Sequence, residues 1–247
     1  MNLALDIGNT RTKSGIFEGN RLVEQAVWPD WTLDELLGYG TEAGANRVVF
    51  SSVAVHDPEM LRRMTEAFTV AMELTNEIPL PFRNAYRTPE TLGKDRLAAV
   101  AGAQALFPGR NCMVVDCGTC IKYELLLGEG VYLGGNIAPG ATMRLRAMHT
   151  FTARLPEAPM AMPDDAVGNS TETALQNGAL RGAVLEIEGF ARAYRERTGE
   201  LTILLTGGDA DFFKQHLNDP EIQVWPHLTL HGLNHILTYN ATIHPTP

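Results

Sequence analysis

Cysteine is scarce in this 247-residue chain: it carries three, Cys112, Cys117 and Cys120, odd in number and crowded together. That excludes the disulfide framework of a small secreted domain. No apolar run approaches the roughly 18 residues of a membrane-spanning helix. Basic charge is in deficit, with 20 Lys and Arg against 29 Asp and Glu and a net charge of −9. No local Lys/Arg block compensates, so neither a nucleic acid nor an anionic membrane is expected as a partner. No basic leader with a cleavage site follows Met1, and a cytoplasmic location is expected.

Several chemical signatures are missing as well. There is no Gly-x4-Gly-Lys-Ser/Thr, which excludes a Walker-type phosphate loop, and no Gly-x-Ser-x-Gly hydrolase elbow. Gly128, Gly130 and Gly134 miss the dinucleotide-binding spacing by one residue and lie between strand-like runs. The seven His residues show no ligand spacing. Cys117-x-x-Cys120 has no second Cys pair and no sequence-adjacent His to complete a zinc site.

What is present is a pattern that occurs twice. Leu3-Ala4-Leu5 runs into Asp6-Ile7-Gly8-Asn9-Thr10, and Met113-Val114-Val115 runs into Asp116-Cys117-Gly118-Thr119. Each is an apolar strand that delivers a carboxylate to its own end, then a Gly that admits a ligand to the backbone and a Thr that offers a hydroxyl. Each leads into another strand, Lys13 to Phe17 and Ile121 to Leu127. Two such loops facing each other would hold a nucleotide triphosphate and its cation between two similar domains.

Periodicity and turn signals extend the repeat. Strands are expected at 3–7, 13–17 and 22–28, with Glu18-Gly19-Asn20 as a hairpin turn. A helix from Thr32 to Tyr39, a strand from Arg47 to Val53, a helix opened by His56-Asp57-Pro58 and a strand from Thr69 to Leu74 follow. After a Pro-rich loop, Gly93-Lys94-Asp95-Arg96 leads into an Ala-rich helix that stops at Phe107-Pro108-Gly109. A second round begins at Cys112, with strands at 113–116, 121–127 and 131–137. A helical patch surrounds Arg144, and a long helix runs from about Thr173 to Arg197. A strand from Leu201 to Leu205, the turn Thr206-Gly207-Gly208-Asp209 and a helix from Ala210 to Leu217 complete the reading. The expected fold class is α/β with two related domains, 1–109 and 110–247, joined rigidly.

The candidate chemistry sits in four places. Asp6 to Lys13 offers backbone amides, the Thr10 and Thr12 hydroxyls and the Lys13 charge to phosphates. Asp6 itself suits a divalent metal carried by the nucleotide, held through water. An ordinary hairpin with turn-forming Asp and Asn would carry the same residues. Asp95 falls near a helix start, where it would accept the proton of an attacking hydroxyl. Beside it, Arg96 would pair with a substrate carboxylate or phosphate; an acidic helix start with a solvated Arg is the alternative. Asp116 would face the same phosphates as Asp6 and hold a second cation, with Thr119 donating to a phosphate oxygen, or would be a buried turn carboxylate. Gly207-Gly208, ending a strand before a helix, would let a base or a phosphate lie against the backbone.

Taken together, Asp6-Ile7-Gly8-Asn9-Thr10-Arg11-Thr12-Lys13, Gly93-Lys94-Asp95-Arg96, Asp116-Cys117-Gly118-Thr119 and Thr206-Gly207-Gly208 resemble type III pantothenate kinase over essentially the whole chain. The resemblance implies two ribonuclease-H-like domains of the actin-like ATPase superfamily, a nucleotide cleft between them, and a homodimer. It implies ATP-dependent phosphorylation of pantothenate to 4′-phosphopantothenate, the first step toward coenzyme A. It assigns ATP phosphates to Asp6 through Lys13 and ATP contacts to Thr119, Gly207 and Gly208. Asp95 becomes the catalytic base, and Tyr86, Gly93, Lys94, Asp95 and Arg96 become pantothenate contacts. Thr171 would reach pantothenate across the dimer. Asp116 would hold a monovalent cation, potassium or ammonium, and magnesium would arrive with ATP near Asp6. Cys117 and Cys120 depart from the pattern, standing where relatives often carry small apolar residues. The competing readings are a small sugar or acetate kinase of the same superfamily and a non-catalytic regulator of transcription.

Overall fold

The computed structural model describes residues 1–8, 11–52 and 58–243. Asn9 and Thr10 of the first candidate loop lie outside the described residues, as do Val53 at the end of the fourth expected strand and the helix-opening His56-Asp57.

In chain order the elements are β1 (Asn2–Ile7), β2 (Thr12–Glu18), β3 (Arg21–Trp28), α1 (Leu33–Glu42), β4 (Arg47–Ser52), α2 (Pro58–Ala67), β5 (Val70–Glu73), β6 (Arg83–Asn84) and α3 (Lys94–Leu106). Then come β7 (Cys112–Cys117), β8 (Cys120–Leu127), β9 (Val131–Pro139), α4 (Ala141–Thr150), α5 (Thr171–Gln176), α6 (Gly182–Thr198), β10 (Thr202–Thr206), α7 (Ala210–His216), β11 (Gln223–Val224) and α8 (Leu228–Ile243). The long helix expected near residues 173–197 is present but interrupted: a π-helical turn, Asn177–Arg181, joins α5 to α6. β11 and α8 had no counterpart in the sequence reading, which ended at residue 217.

The chain forms two compact units, one of Met1–Gly109, Gly128–Leu133 and the segment from His227, the other of Arg110–Leu127 and Gly134–Pro226. The return of the C-terminal segment to the first unit has a steric basis in α8. A Cβ on Gly232 would stand 1.7 Å from the Ala98 carbonyl oxygen, and one on Gly102 would stand 2.2 Å from that of Leu228. α3 and α8 therefore touch backbone to backbone, which only glycine permits at both positions.

The first unit is a five-stranded sheet in the order β3-β2-β1-β4-β5. β1 is antiparallel to β2 and parallel to β4. Alternation along β1 sends Leu3, Leu5 and Ile7 into a core with Leu36 of α1 and Met60 and Met64 of α2. The opposite parity, Asn2, Ala4 and Asp6, belongs to the face of α8, where the Asn2 amide donates to Asn234 Oδ1 at 2.8 Å. α1 starts on a full capping box, with Thr32 and Glu35 satisfying each other's backbone amides.

The second unit repeats the theme. β10, β7 and β8 carry its centre, in the order β11-β10-β7-β8-β9, with β7 antiparallel to β8 and parallel to β10. Every residue of β7 except Asp116 is buried. The short β6 pairs in parallel with Val131 and Tyr132, the opening residues of β9, which count with the first unit.

Candidate active site

In the first unit Asp6 is the penultimate residue of β1, and the Ser51 hydroxyl of neighbouring β4 donates to its Oδ1 at 3.0 Å. The turn beyond is closed by the Gly8 amide, which donates to the Arg11 carbonyl at 3.1 Å. A Cβ on Gly8 would approach that same carbonyl to 3.0 Å, so the tight turn favours glycine. Thr12 is fully buried at the start of β2, and its hydroxyl has no partner among the described residues. Lys13 stands directly opposite Asp6 in the β1–β2 register.

The second cluster of this unit surrounds the start of α3. Gly93 is the N-cap residue and offers no side-chain cap. The Asp95 carboxylate folds back instead, its Oδ1 accepting from the Arg96 amide at 2.9 Å. A Cβ on Gly93 would lie 2.5 Å from that oxygen, so glycine here makes room for the carboxylate. The Lys94 ammonium lies 3.4 Å from Oε1 of the buried Glu73 at the end of β5.

Arg96 is only 5% exposed, and its guanidinium lies over the Tyr86 ring, 5.3 Å from the centroid. Tyr86 in turn stacks on Tyr132 at 6.4 Å with the rings nearly parallel. The ring contact holds a buried, always-charged guanidinium at the start of α3. Tyr86, Gly93, Asp95 and Arg96, distant in sequence from one another only by a Pro-rich loop, are thus gathered at one helix end.

In the second unit β7 delivers Asp116. Its Oδ2 is met by the Lys122 ammonium at 2.6 Å. Lys122 faces Asp116 across the β7–β8 register, as Lys13 faces Asp6 across β1–β2. Lys13 belongs to the sequence-predicted phosphate loop, whereas Lys122 lies outside every predicted site. The signal was available, because counting back across the short turn from Asp116 lands on Lys122.

Gly207 closes the other side of Asp116. It adopts φ +93°, and a Cβ there would clash with the Cys117 carbonyl at 2.4 Å and with Asp116 Oδ1 at 2.6 Å. Gly208 is open, with nothing within 4 Å of an added Cβ, and Thr119 is exposed. Thr206, opposite Asp116 in the β7–β10 register, is buried with a hydroxyl lacking any partner among the described residues. The Cys117 thiol is buried, and burial first, then the neighbouring Asp116 and Asp209 charges, push its pKa well above the usual range.

Thr171 is the exposed first residue of α5. It is not the cap: Ser170 is, with Thr173 completing a reciprocal pair of backbone bonds.

The donor set suits some cations better than others. No group of three or more His, Cys, Asp or Glu side chains that would hold a metal occurs among the described residues. A magnesium ion carried by a triphosphate needs only one or two protein carboxylates, and Asp6, steadied by Ser51 at a strand end, fits that demand. A monovalent ion on Asp116 fits poorly, because Lys122 already engages that carboxylate.

Comparison with known proteins places the chain. A solved structure of a Baf family protein from Campylobacter jejuni superimposes with a TM-score of 0.66 at 22% identity, covering 97% of this chain and 99% of that one. A ROK hexokinase from Thermus thermophilus gives 0.52 at 15% identity, with 95% and 97% coverage. Both likenesses concern the fold alone, an α/β architecture. Among curated relatives, the type III pantothenate kinase of Bacteroides fragilis is 40% identical over 242 residues, 97% of this chain and 98% of its own. That of Christiangramia forsetii is 36% identical over 244 residues, 98% of this chain and 100% of its own. The family model described as type III pantothenate kinase matches residues 2–193. With the family pattern spanning most of its length and relatives aligned end to end, the chain belongs to the type III pantothenate kinases, a family of phosphate-transferring enzymes.

Proposed function

We propose that this chain transfers the γ-phosphate of magnesium-ATP to the primary hydroxyl of pantothenate, giving 4′-phosphopantothenate for coenzyme A synthesis. The observation that carries the reading is the cluster at the start of α3. A carboxylate, Asp95, and a buried, ring-stacked guanidinium, Arg96, adjoin one another there. Pantothenate presents a hydroxyl to be phosphorylated and a carboxylate to be recognised, and this pair answers both. Asp95 orients the hydroxyl and accepts its proton. Phosphoryl transfer is loose, so the proton leaves late and the orienting part of the role dominates. Tyr86, Gly93 and Lys94 shape the substrate's surroundings.

Asp6, Ile7, Gly8, Asn9, Thr10, Arg11, Thr12 and Lys13 are assigned to the ATP phosphates, and Asp6 to the hydrated magnesium. Magnesium, when bound with ATP, offsets the charge that develops on the phosphates. Thr119, Gly207 and Gly208 complete the ATP contacts. The positive charge that the resemblance puts on Asp116 as a monovalent ion meets a carboxylate with an ammonium partner in this chain.

A homodimer, with Thr171 reaching the partner's substrate, is the quaternary reading. Supporting it, Gly178, Gly182, Leu185 and Gly189 recur at helical spacing. Leu185 is 62% exposed, and neither Gly178 nor Gly189 would meet anything within 4 Å on gaining a Cβ. No helix of the described residues is long and apolar enough to cross a membrane; the proposed location is the cytoplasm.

Coupled ADP release from magnesium-ATP, with and without pantothenate, tests the activity. Release that depends on pantothenate is expected, and a sugar or acetate acceptor should not replace it. Folded protein that releases no ADP with pantothenate would overturn the assignment and favour the non-catalytic reading. A dimer by light scattering at micromolar concentration is expected, and a monomer would remove Thr171 from the substrate site.

A further inference from the structure

The carboxylate at the end of β7 already has a cation. The Lys122 ammonium sits 2.6 Å from Asp116 Oδ2, and the two side chains are 18% and 22% exposed. The backbone enforces the meeting, because Asp116 and Lys122 are direct partners across an antiparallel hairpin whose strands are buried on either side. A pair so placed is not the mobile surface contact that salt and side-chain entropy dissolve. The other oxygen, Oδ1, lies against Gly207, whose backbone is held at φ +93°. A single carboxylate carries one negative charge, and one ammonium neutralises it. A second monovalent cation on the same group would enter beside a fixed positive charge, with no net negative charge from this pair to hold it.

Resting on the kinase reading above, we propose that Lys122 is the resident cation of this site. Its ammonium stands where a potassium or ammonium ion would otherwise sit on Asp116, and nucleotide binding and turnover by this chain do not depend on an added monovalent ion. Lysine suits the task because its ammonium is a compact point charge with three donors on a flexible stem. Tethering makes the charge permanent, where a free ion would come and go with the salt composition. Asp6 and Lys13 of the first unit are likewise register partners across an antiparallel hairpin.

The test uses full-length protein in potassium, sodium and N-methylglucamine chloride at equal ionic strength. Two readouts are taken: magnesium-ATP affinity by calorimetry, without pantothenate, and pantothenate-dependent ADP release. For the wild type, both should change less than about threefold among the three salts. Lys122→Met should lose ten-fold or more in ATP affinity in N-methylglucamine and regain most of it in potassium, as the emptied position takes the ion. A wild-type protein whose ATP affinity or turnover falls ten-fold on removal of potassium would overturn the proposal, and that arm stands even if Lys122→Met fails to fold. A folded Lys122→Met that matches wild type in every salt would also overturn it. Absence of ADP release in all salts would count against the pantothenate assignment alone, since the calorimetric arm still decides the role of Lys122.

Discussion

The guanidinium of Arg96 lies 5.3 Å from the centroid of the Tyr86 ring, and that ring is stacked with Tyr132. A desolvated cation–π contact of this kind is worth about 2 kcal/mol, and a lysine would keep the charge while losing the planar, forked donor array of arginine. Arg96→Lys should therefore raise the pantothenate KM by ten-fold or more while leaving the ATP KM within about threefold. Steady-state kinetics with each substrate varied separately will show the split. Equal effects on both constants would mean that Arg96 acts by holding the local fold.

Asp95→Asn should keep the structure, because an Asn carbonyl can still accept from the Arg96 amide that Asp95 now engages. Turnover should fall by about 10²–10⁴-fold, the range spanned by general acid–base groups. An unchanged melting temperature and ATP affinity, together with the lost turnover, would place the defect in the chemical step. Turnover close to wild type would remove Asp95 from the role of base.

Gly232→Ala tests the attachment of α8. The new methyl would sit 1.7 Å from the Ala98 carbonyl oxygen, a clash with backbone that cannot yield without separating α3 from α8. A loss of about 3 kcal/mol or more is expected, at or above the upper end of ordinary overpacking. Gly38→Ala in α1 is the control, since nothing lies within 4 Å of an added Cβ there. That change should be neutral or stabilise by up to about 1 kcal/mol through helix propensity. Urea denaturation of the two variants should separate them clearly.

Thiol reactivity should follow burial. Burial pushes the Cys112 thiol up to about 12 and the Cys117 thiol well above the ordinary range, so both stay protonated at neutral pH. Cys120 is only partly buried. Titration of the native protein with an aromatic disulfide reagent should modify Cys120 first, and Cys120→Ser should abolish the fast phase. Rapid modification of Cys117 in the folded protein would contradict its packing.

Three histidines of the C-terminal segment, His227, His231 and His235, have pKa values lowered chiefly by burial. The sign of the resulting pH dependence follows from linkage. Above the ordinary value of about 6.5 both folded and unfolded states hold these groups neutral, and they contribute no slope. Below it the unfolded chain binds protons that the folded chain resists, so stability falls as the pH drops through 6.5 toward the depressed folded values. Denaturation midpoints should decrease from pH 7.5 to pH 5.5. The decrease should shrink in His231→Phe, whose ring would retain the edge contact that His231 makes with Phe17.

Much of the site could be read without coordinates because it is built from local patterns. Asp6 and Asp116 stand at strand ends written by short apolar runs, and Gly93 and Asp95 mark a helix start, so their settings follow from a few adjacent residues. The π-helical turn at Asn177–Arg181 was not legible, since the apolar spacing continues across it while the hydrogen-bond pattern shifts by one residue. α8 escaped for a different reason. Its polar residues Asn234 and Asn240 are buried along with Leu228, Leu230, Leu233, Ile236 and Leu237, so burial along it does not follow the polar–apolar pattern by which a surface helix is recognised.

By itself the sequence determined the repeated strand–carboxylate–glycine pattern, the α/β class and the chemical identity of the residues at the ends of β1, β7 and α3, because these depend on neighbours within a turn or a hairpin. Only the tertiary structure decided that the chain from His227 returns to the first unit, through glycine contacts between Ala98 and Gly232 that no local pattern encodes. It also decided that Arg96 is buried over Tyr86. That depends on where one backbone sets a side chain against another, which is fixed by packing rather than by the residues that flank it.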